Sequence, residues 1–248
     1  MLIGHKIHHI SQTDSTMSYC KNLAKSGATH GTVVSADFQT GGRGRFQRKW
    51  ISSSSQNLLL SILLKPDIHQ INYLNMAASL SIYDVAVWAT KCNPAIKWPN
   101  DVLVNGQKLA GILIESEMIG NKLNYVILGL GINVNHVPEE HEDISKISTS
   151  LKHLAHQTFS RSFILKILLQ RLNFYYSQII RGGSLTKKWS DKLITLGTEI
   201  KLTILDNQKD MGVSGIALSV NEDGSLNIRE YDGNIFIASS GEVTLDKP

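Results

Sequence analysis

The sequence predicts an α+β protein: a mixed β-sheet domain flanked by helices, followed by a small C-terminal β-barrel domain. Asn57 to Leu64 is a near-continuous apolar run, as in strands buried on both faces. Ile71, Leu74, Ala78, Ile82, Val85 and Ala89 recur at intervals of three and four, which marks one long helix. After Gly197 the texture changes to short alternating runs separated by turn residues, the pattern of a small antiparallel barrel. A boundary near residue 195 therefore divides the chain into domains 1–195 and 196–248.

Lys6 to Ile10 reads as an opening strand. Asp14 or Ser15 can cap the helix that follows, whose apolar positions Met17, Cys20, Leu23 and Ala24 share a face and which Gly27 ends. Gly31 to Phe38 is a strand, a glycine- and arginine-rich connection follows, and Asn57 to Leu64 is the next strand. Beyond the long helix, strands run from Ala95 to Trp98, Val102 to Val104 and Lys108 to Ser116. Asn105-Gly106 between the last two signals a hairpin, because a type I′ turn needs φ > 0 at both central residues. Gly120-Asn121 marks a second hairpin, leading into Tyr125 to Leu128 and Gly129-Leu130-Gly131-Ile132-Asn133. His136 to Thr149 reads as an irregular loop. Phe163, Ile164, Ile167, Leu168, Leu172 and Tyr175 mark a helix capped by Ser160 or Ser162, and a shorter helix spans Ser184 to Ile194. The C-terminal strands are Glu199 to Ile204, Val213 to Leu218, Leu226 to Glu230, Ile235 to Ala238 and Glu242 to Leu245, with turns at Asp206-Asn207, Asp223-Gly224 and Asp232-Gly233.

At 248 residues, 42% hydrophobic and 19% charged, the composition is that of an ordinary globular protein. No apolar run approaches the ~20 residues needed to cross a bilayer, and Met1 to Ile7 lacks the apolar core of a signal peptide. A cytoplasmic protein without membrane contact is expected. Cys20 and Cys92 are too few for a disulfide framework and read as buried structural thiols. A net charge of +4 permits anionic substrates but does not by itself argue for nucleic acid.

The chemistry concentrates in Phe38 to Trp50, where glycines, Arg43, Arg45, Arg48, Lys49 and an indole share one connection with no acid among them. Glycines bring bare N–H groups against a ligand, and the cations supply charge, so the loop reads as an anion site. Mutual repulsion of the cations predicts mobility while the site is empty. The bland reading is a solvated basic loop or a contact to a phosphate backbone. GxxxxGK[ST], GxSxG, HExxH and CxxC are absent, and Gln47 and Val134 stand where GxGxxG would need a third glycine. Glu139-Glu140-His141-Glu142-Asp143 reads as solvated surface in preference to a metal site. Lys108 opens an otherwise apolar strand, so its ammonium either reaches water or faces a polar ligand. Beside an anion at about 4 Å it would contribute on the order of 4 kcal/mol at an effective dielectric near 20.

Asp14-Ser15-Thr16, Gln39-Thr40-Gly41-Gly42-Arg43-Gly44-Arg45, Arg48-Lys49-Trp50, Lys97-Trp98-Pro99-Asn100-Asp101, Lys108-Leu109-Ala110-Gly111-Ile112 and Gly129-Leu130-Gly131-Ile132-Asn133 occur in one order. In that order and approximate spacing the chain resembles the biotin protein ligases, over nearly its whole length. The resemblance implies a ligase that activates biotin with MgATP as biotinyl-5′-AMP and transfers it to a lysine of a biotin carboxyl carrier protein. It also implies an SH3-like form for the C-terminal barrel. By resemblance, Ser15, Thr16, Met17 and Gln39 bind the biotin head group, helped by Gly111, Ile112 and Leu113. Gly42, Arg43, Gly44, Arg45 and Lys108 meet the carboxylate and the adenylate. Arg48, Trp50, Lys97, Asn100 and Asn133 bind nucleotide, and Asp101 orients or deprotonates the incoming lysine. Biotin, ATP and Mg2+ are the implied ligands, with no resident metal.

Met17 departs from the family pattern, where a polar residue is common, so one head-group hydrogen bond would come from its backbone. By resemblance the family core begins within the first ten residues, so the form expected is the one lacking an N-terminal DNA-binding domain, and no DNA contact is expected. A homodimer through paired sheet edges stays open. Rival readings are a lipoate or octanoate ligase, separable by its preferred acid, and a catalytically silent biotin sensor, against which Arg43, Arg45, Lys97, Asp101 and Lys108 all stand. A nucleic-acid-binding loop would show salt-dependent binding indifferent to biotin.

Overall fold

The computed structural model describes residues 2–138, 144–204 and 211–245, the side chain of Gln47 excepted. The Glu139 to Asp143 run and the Asp206-Asn207 turn lie outside the described residues.

The first sheet contains β1 (Lys6–Thr13), β2 (Thr32–Gln39), β3 (Leu58–Leu64), β4 (Pro94–Lys97), β5 (Asp101–Val104), β6 (Gln107–Ile119) and β7 (Lys122–Ile132). Their order is β1-β2-β3-β7-β6-β5-β4. β1 and β2 pair in parallel across the helix α1 (Thr16–Lys25), and the other neighbours are antiparallel, so the sheet is mixed as predicted. The parallel register sets Thr13 opposite Gln39. The Asp14-Ser15 turn and the start of the basic loop are thereby brought side by side.

Every residue of β3 is buried, because both its faces are covered. Leu58, Leu60, Ile62 and Leu64 join the main core with α2 (Ile71–Thr90) and α4 (Arg161–Ile180). Leu63 faces the other way, into a smaller cluster with Met17 and Cys20 of α1 and with Val34, Tyr125 and Ile127. Burying one such leucine contributes roughly 1.5–3 kcal/mol, which outweighs any loss of strand alternation. Arg171 and Tyr175 of α4 both donate to Asp84 Oδ2 of α2, at 2.5–2.8 Å, and join the two helices.

Local signals hold closely. Ser15 caps α1 and Ser160 caps α4, each accepting from a first-turn amide, and Asn105 and Gly106 have φ of 51° and 77°. The second hairpin is longer than its sequence signal, since β6 and β7 pair as far as Ile119 and Lys122. A short helix α3 (Leu151–Ala155), capped by Ser150, lies beyond the predicted loop. The predicted 184–194 helix shrinks to α5 (Thr186–Ser190), because residues 192–194 extend along the free edge of β4. There Ile96 N donates to Lys192 O and Ile194 N to Ile96 O.

The C-terminal strands are β8 (Glu199–Ile204), β9 (Met211–Val220), β10 (Leu226–Glu230), β11 (Ile235–Ala238) and β12 (Glu242–Leu245). They form an antiparallel sheet in the order β11-β10-β9-β8-β12, and among the described residues no pairing closes β11 onto β12. Ile200, Leu202, Val213, Leu226, Ile228 and Val243 belong to the main core, so this sheet packs against the rest. Trp98 Nε1 donates to Gly224 O at 2.9 Å, and Glu222 Oε2 accepts from Tyr73, Ser184 and Thr186. Among the described residues no helix is long and apolar enough to cross a membrane.

Burial pushes the Cys20 thiol up to about 12. Alkylation of native protein by iodoacetamide at pH 8 is therefore expected to leave Cys20 unmodified, as read by mass spectrometry, until denaturant is added. Labelling of Cys20 under native conditions would contradict its place under α1.

Candidate active site

The site lies on the face of the first sheet that carries α1. Beyond Ile127 that face continues through Gly129 and Gly131 of β7, and across to Gly111 of β6, because alternate residues of a strand share a face. Gly111 pairs with Gly131 on one side and with Asp101 on the other. A Cβ would stand 2.7 Å from Met17 Sδ at Gly129, 2.6 Å from Trp50 Cε2 at Gly131 and 3.1 Å from Trp50 Cζ3 at Gly111. The glycines thus form a bare floor on which Met17 and the Trp50 indole rest.

One end of the floor is neutral and hydrogen-bonding. Gln39 Oε1 accepts from Thr16 N at 2.7 Å and Thr16 Oγ1 at 3.0 Å, while Ser61 Oγ donates to Thr16 Oγ1 at 2.8 Å. Among the described residues Gln39 Nε2 has no hydrogen-bond acceptor, which leaves a donor for a ligand carbonyl. Ser15 and Met17 are buried, and Met17 N donates to Ser15 Oγ at 3.3 Å. The Met17 amide expected to replace a polar side chain is therefore already engaged in capping α1.

The other end is cationic. Lys108 Nζ lies 2.8 Å from Asp101 Oδ1 and 5.8 Å from the Trp50 ring centroid, within cation–π reach. An ion pair with side chains 36% and 21% exposed contributes about 0–1 kcal/mol to stability, so its main effect is orientation. Burial pulls Lys97 below its ordinary value, with Asp101 and Glu242 opposing that shift. Burial does the same to Arg45, again against Asp101 and Glu242. Both groups are cations held where solvation is poor, so an added anion would gain more here than at the surface.

The basic loop is folded into a tight hairpin. Arg43 and Lys49 form a β-bridge, Trp50 N donates to Gly42 O at 2.9 Å and Gly44 N to Arg48 O at 2.7 Å. At Gly42 a Cβ would meet Trp50 O at 2.9 Å, so only glycine allows that approach. Residues 45–47 form a 3₁₀ turn in which Phe46 takes φ of 54°. The expected mutual repulsion of the loop cations is relieved by protein groups from distant elements. Arg43 Nη2 is 3.7 Å from Glu115, Arg45 Nη1 donates to Gly241 O and Asn100 Oδ1, and Arg48 is paired with Glu242.

Two predicted site residues sit differently from expectation. Ile112 turns its side chain into the opposite core, since it alternates with Gly111 and Leu113, and its amide and carbonyl are bonded to Asn100 O and Asn100 Nδ2. Asn133 is 4% exposed, accepts from Asn57 Nδ2 and donates to Lys108 O, so it braces the start of β6. Ser61, Asn57, Glu115, Gly241 and Glu242 were not foreseen. Polar residues within an apolar run marked Asn57 and Ser61, whereas nothing local marked the acids.

In this mixed sheet a bare glycine floor separates a neutral hydrogen-bonding end from a cluster of cations. The chain belongs to the biotin/lipoate A/B protein ligase family, whose model matches residues 9–133. It is 32% identical to the bifunctional ligase/repressor BirA of Bacillus subtilis over 92% of this chain and 70% of that protein. It is 31% identical to the biotin–[acetyl-CoA-carboxylase] ligase of Mycobacterium tuberculosis over 94% of this chain and 86% of that protein. Among solved structures, it resembles the biotin protein ligase of Aquifex aeolicus in complex with biotin and ATP, with a TM-score of 0.80, 28% identity and coverage of 98% of this chain and 100% of that one.

Gly131→Ala is expected to lift the Trp50 ring and destabilise the protein by about 1–3 kcal/mol in denaturant unfolding. In a Trp50→Ala background most of that penalty should vanish. Equal costs in the two backgrounds would remove the indole from the floor.

Proposed function

We infer that the chain is a biotin protein ligase acting in two steps. A biotin carboxylate oxygen attacks the α-phosphorus of ATP, the bond to the bridging oxygen breaks, and pyrophosphate leaves. The ε-amine of a carrier lysine, having lost its proton, then attacks the acyl carbon, and AMP departs as the amide forms. The observation that carries this reading is the pairing of a neutral polar end with a cationic end across one glycine floor, in a chain of this family.

In this reading Ser15, Thr16, Met17 and Gln39 receive the ureido ring, with Gln39 Nε2 as donor and Met17 as apolar wall. Arg43, Arg45 and Lys108 face the carboxylate and α-phosphate, and stabilise charge that develops during attack. Trp50, backed by Gly111 and Gly131, is the platform for adenine, and Arg48 and Lys97 lie toward the outer phosphates. Asn100 acts by holding Arg45 against β6, and Asn133 by holding the Lys108 backbone. Asp101 is the carboxylate for the incoming ammonium, and Lys108 orients it.

Mg2+ would enter with ATP. Among the described residues no group of three or more metal-binding side chains occurs, and Asp101 and Glu242 are already paired with cations. In this reading the triphosphate carries the ion. The acceptor is a biotin carboxyl carrier protein, residues 1–195 form the catalytic unit, and residues 196–248 form a supporting one.

Purified protein should exchange labelled pyrophosphate into ATP with biotin and not with lipoate or octanoate; exchange with either of the latter instead would reassign the acid. Lys108→Ala should slow that exchange by about 10²–10³-fold, the scale for losing one group that stabilises developing charge. Asp101→Asn should slow transfer from isolated biotinyl-5′-AMP to carrier by roughly 10²-fold or more. Transfer at the wild-type rate would remove Asp101 from the second step.

A further inference from the structure

Two consecutive residues at the start of β12, Gly241 just before it and Glu242 its first residue, hold the tip of the basic loop. Arg48 makes a two-pronged pair with Glu242, Nη1 to Oε1 and Nη2 to Oε2, each at 2.5 Å. Arg45 Nη1 donates to Gly241 O at 2.9 Å and to Asn100 Oδ1 at 3.3 Å. Between those arginines lies the 3₁₀ turn with Phe46 at φ 54°. The anchors are separated from the loop by 194 and 196 residues of chain, so only tertiary packing brings them there.

That packing is firm. β12, which begins at Glu242, pairs with β8 through Val243 and Leu202, both buried in the main core. The same sheet is fixed at its other end, where Trp98 donates to Gly224 O and where Glu222 accepts from Tyr73, Ser184 and Thr186. Trp98 lies beside Lys97 in the chain, so one short segment supplies both a site cation and the joint that seats the C-terminal sheet.

We propose that Glu242 is a positioning residue for the ligase reaction: through Arg48 it closes the basic loop against the C-terminal sheet, and so sets how well the activated acid is retained until the acceptor arrives. This inference rests on the biotin ligase reading. An isolated surface ion pair would contribute little, but a bidentate guanidinium–carboxylate pair fixes direction as well as distance. Here it fixes a loop tip whose other contact, Arg45, reaches the site itself. Loss of the carboxylate leaves Arg48 as an unpaired cation among Arg45, Lys97 and Lys108, and their repulsion favours the open loop. An open loop exposes an acyl phosphate to water and to stray amines.

The test compares wild type with Glu242→Gln, Glu242→Ala and Glu242→Asp, each checked for an unchanged melting temperature. Two quantities are read: biotin-dependent pyrophosphate exchange, and escape of biotinyl-5′-AMP, followed as its release through a spin filter and as labelling of bystander albumin. Escape should rise by about tenfold in Glu242→Gln and Glu242→Ala, while maximal exchange changes by less than about threefold. Glu242→Asp, which keeps the charge, should recover most of the retention. Exchange in the wild type with equal escape from all variants would overturn the role of Glu242 and leave the ligase reading standing. Absence of biotin-dependent exchange in the wild type would overturn the reading on which it rests.

Discussion

The site depends on close approach between the Trp50 indole and the strand backbone at Gly111 and Gly131. A sheet buried on both faces would present an unbroken layer of side chains there. Three glycines, at 111, 129 and 131, remove that layer from one end of one face, while α1 covers the other end with Met17 and Cys20. The result is a floor deep enough to hold a flat group and stiff enough to keep it in place, because the strands beneath are packed on their far side by α2 and α4. Leu130 and Ile112 lie within the glycine motifs yet belong to that far core. The same short segments thus carry both the floor and its support.

Charge is distributed by a similar logic. The cations sit on the loop and on β4 and β6, and the acids that balance them come from β5, β6 and β12. Burial disfavours the charged forms of Arg45 and Lys97, and the nearby carboxylates offset part of that cost. Arg43, Arg48 and Lys108 are each paired with a carboxylate, which offsets the repulsion among the positive groups without an exogenous anion. An entering phosphate or carboxylate meets cations already oriented by those partners, and needs little reorganisation to be stabilised.

The C-terminal sheet belongs to this arrangement as much as the first one does. Its buried face continues the main core, its 222–224 turn receives Trp98, and the start of β12 receives the loop arginines. Similarity to the Aquifex aeolicus enzyme extends over 98% of this chain, so the likeness includes this sheet as well as the family-matched segment.

Much of the molecule was legible in the sequence by itself. Apolar periodicity located β3, α2 and α4, capping serines and Asn105-Gly106 marked ends and turns, and the spacing of six short motifs indicated the family. Those signals are local, since each is set by sterics or hydrogen bonding within a few residues. Tertiary structure decided the rest. Which face each glycine bares, why Ile112 turns away, why residues 192–194 leave their helix to cap β4, and which acids pair with Arg43 and Arg48 all depend on contacts between elements far apart in the chain. A carboxylate such as Glu242 carries no local mark of its role, because the charge it answers lies 194 residues away and reaches it only when two sheets pack together.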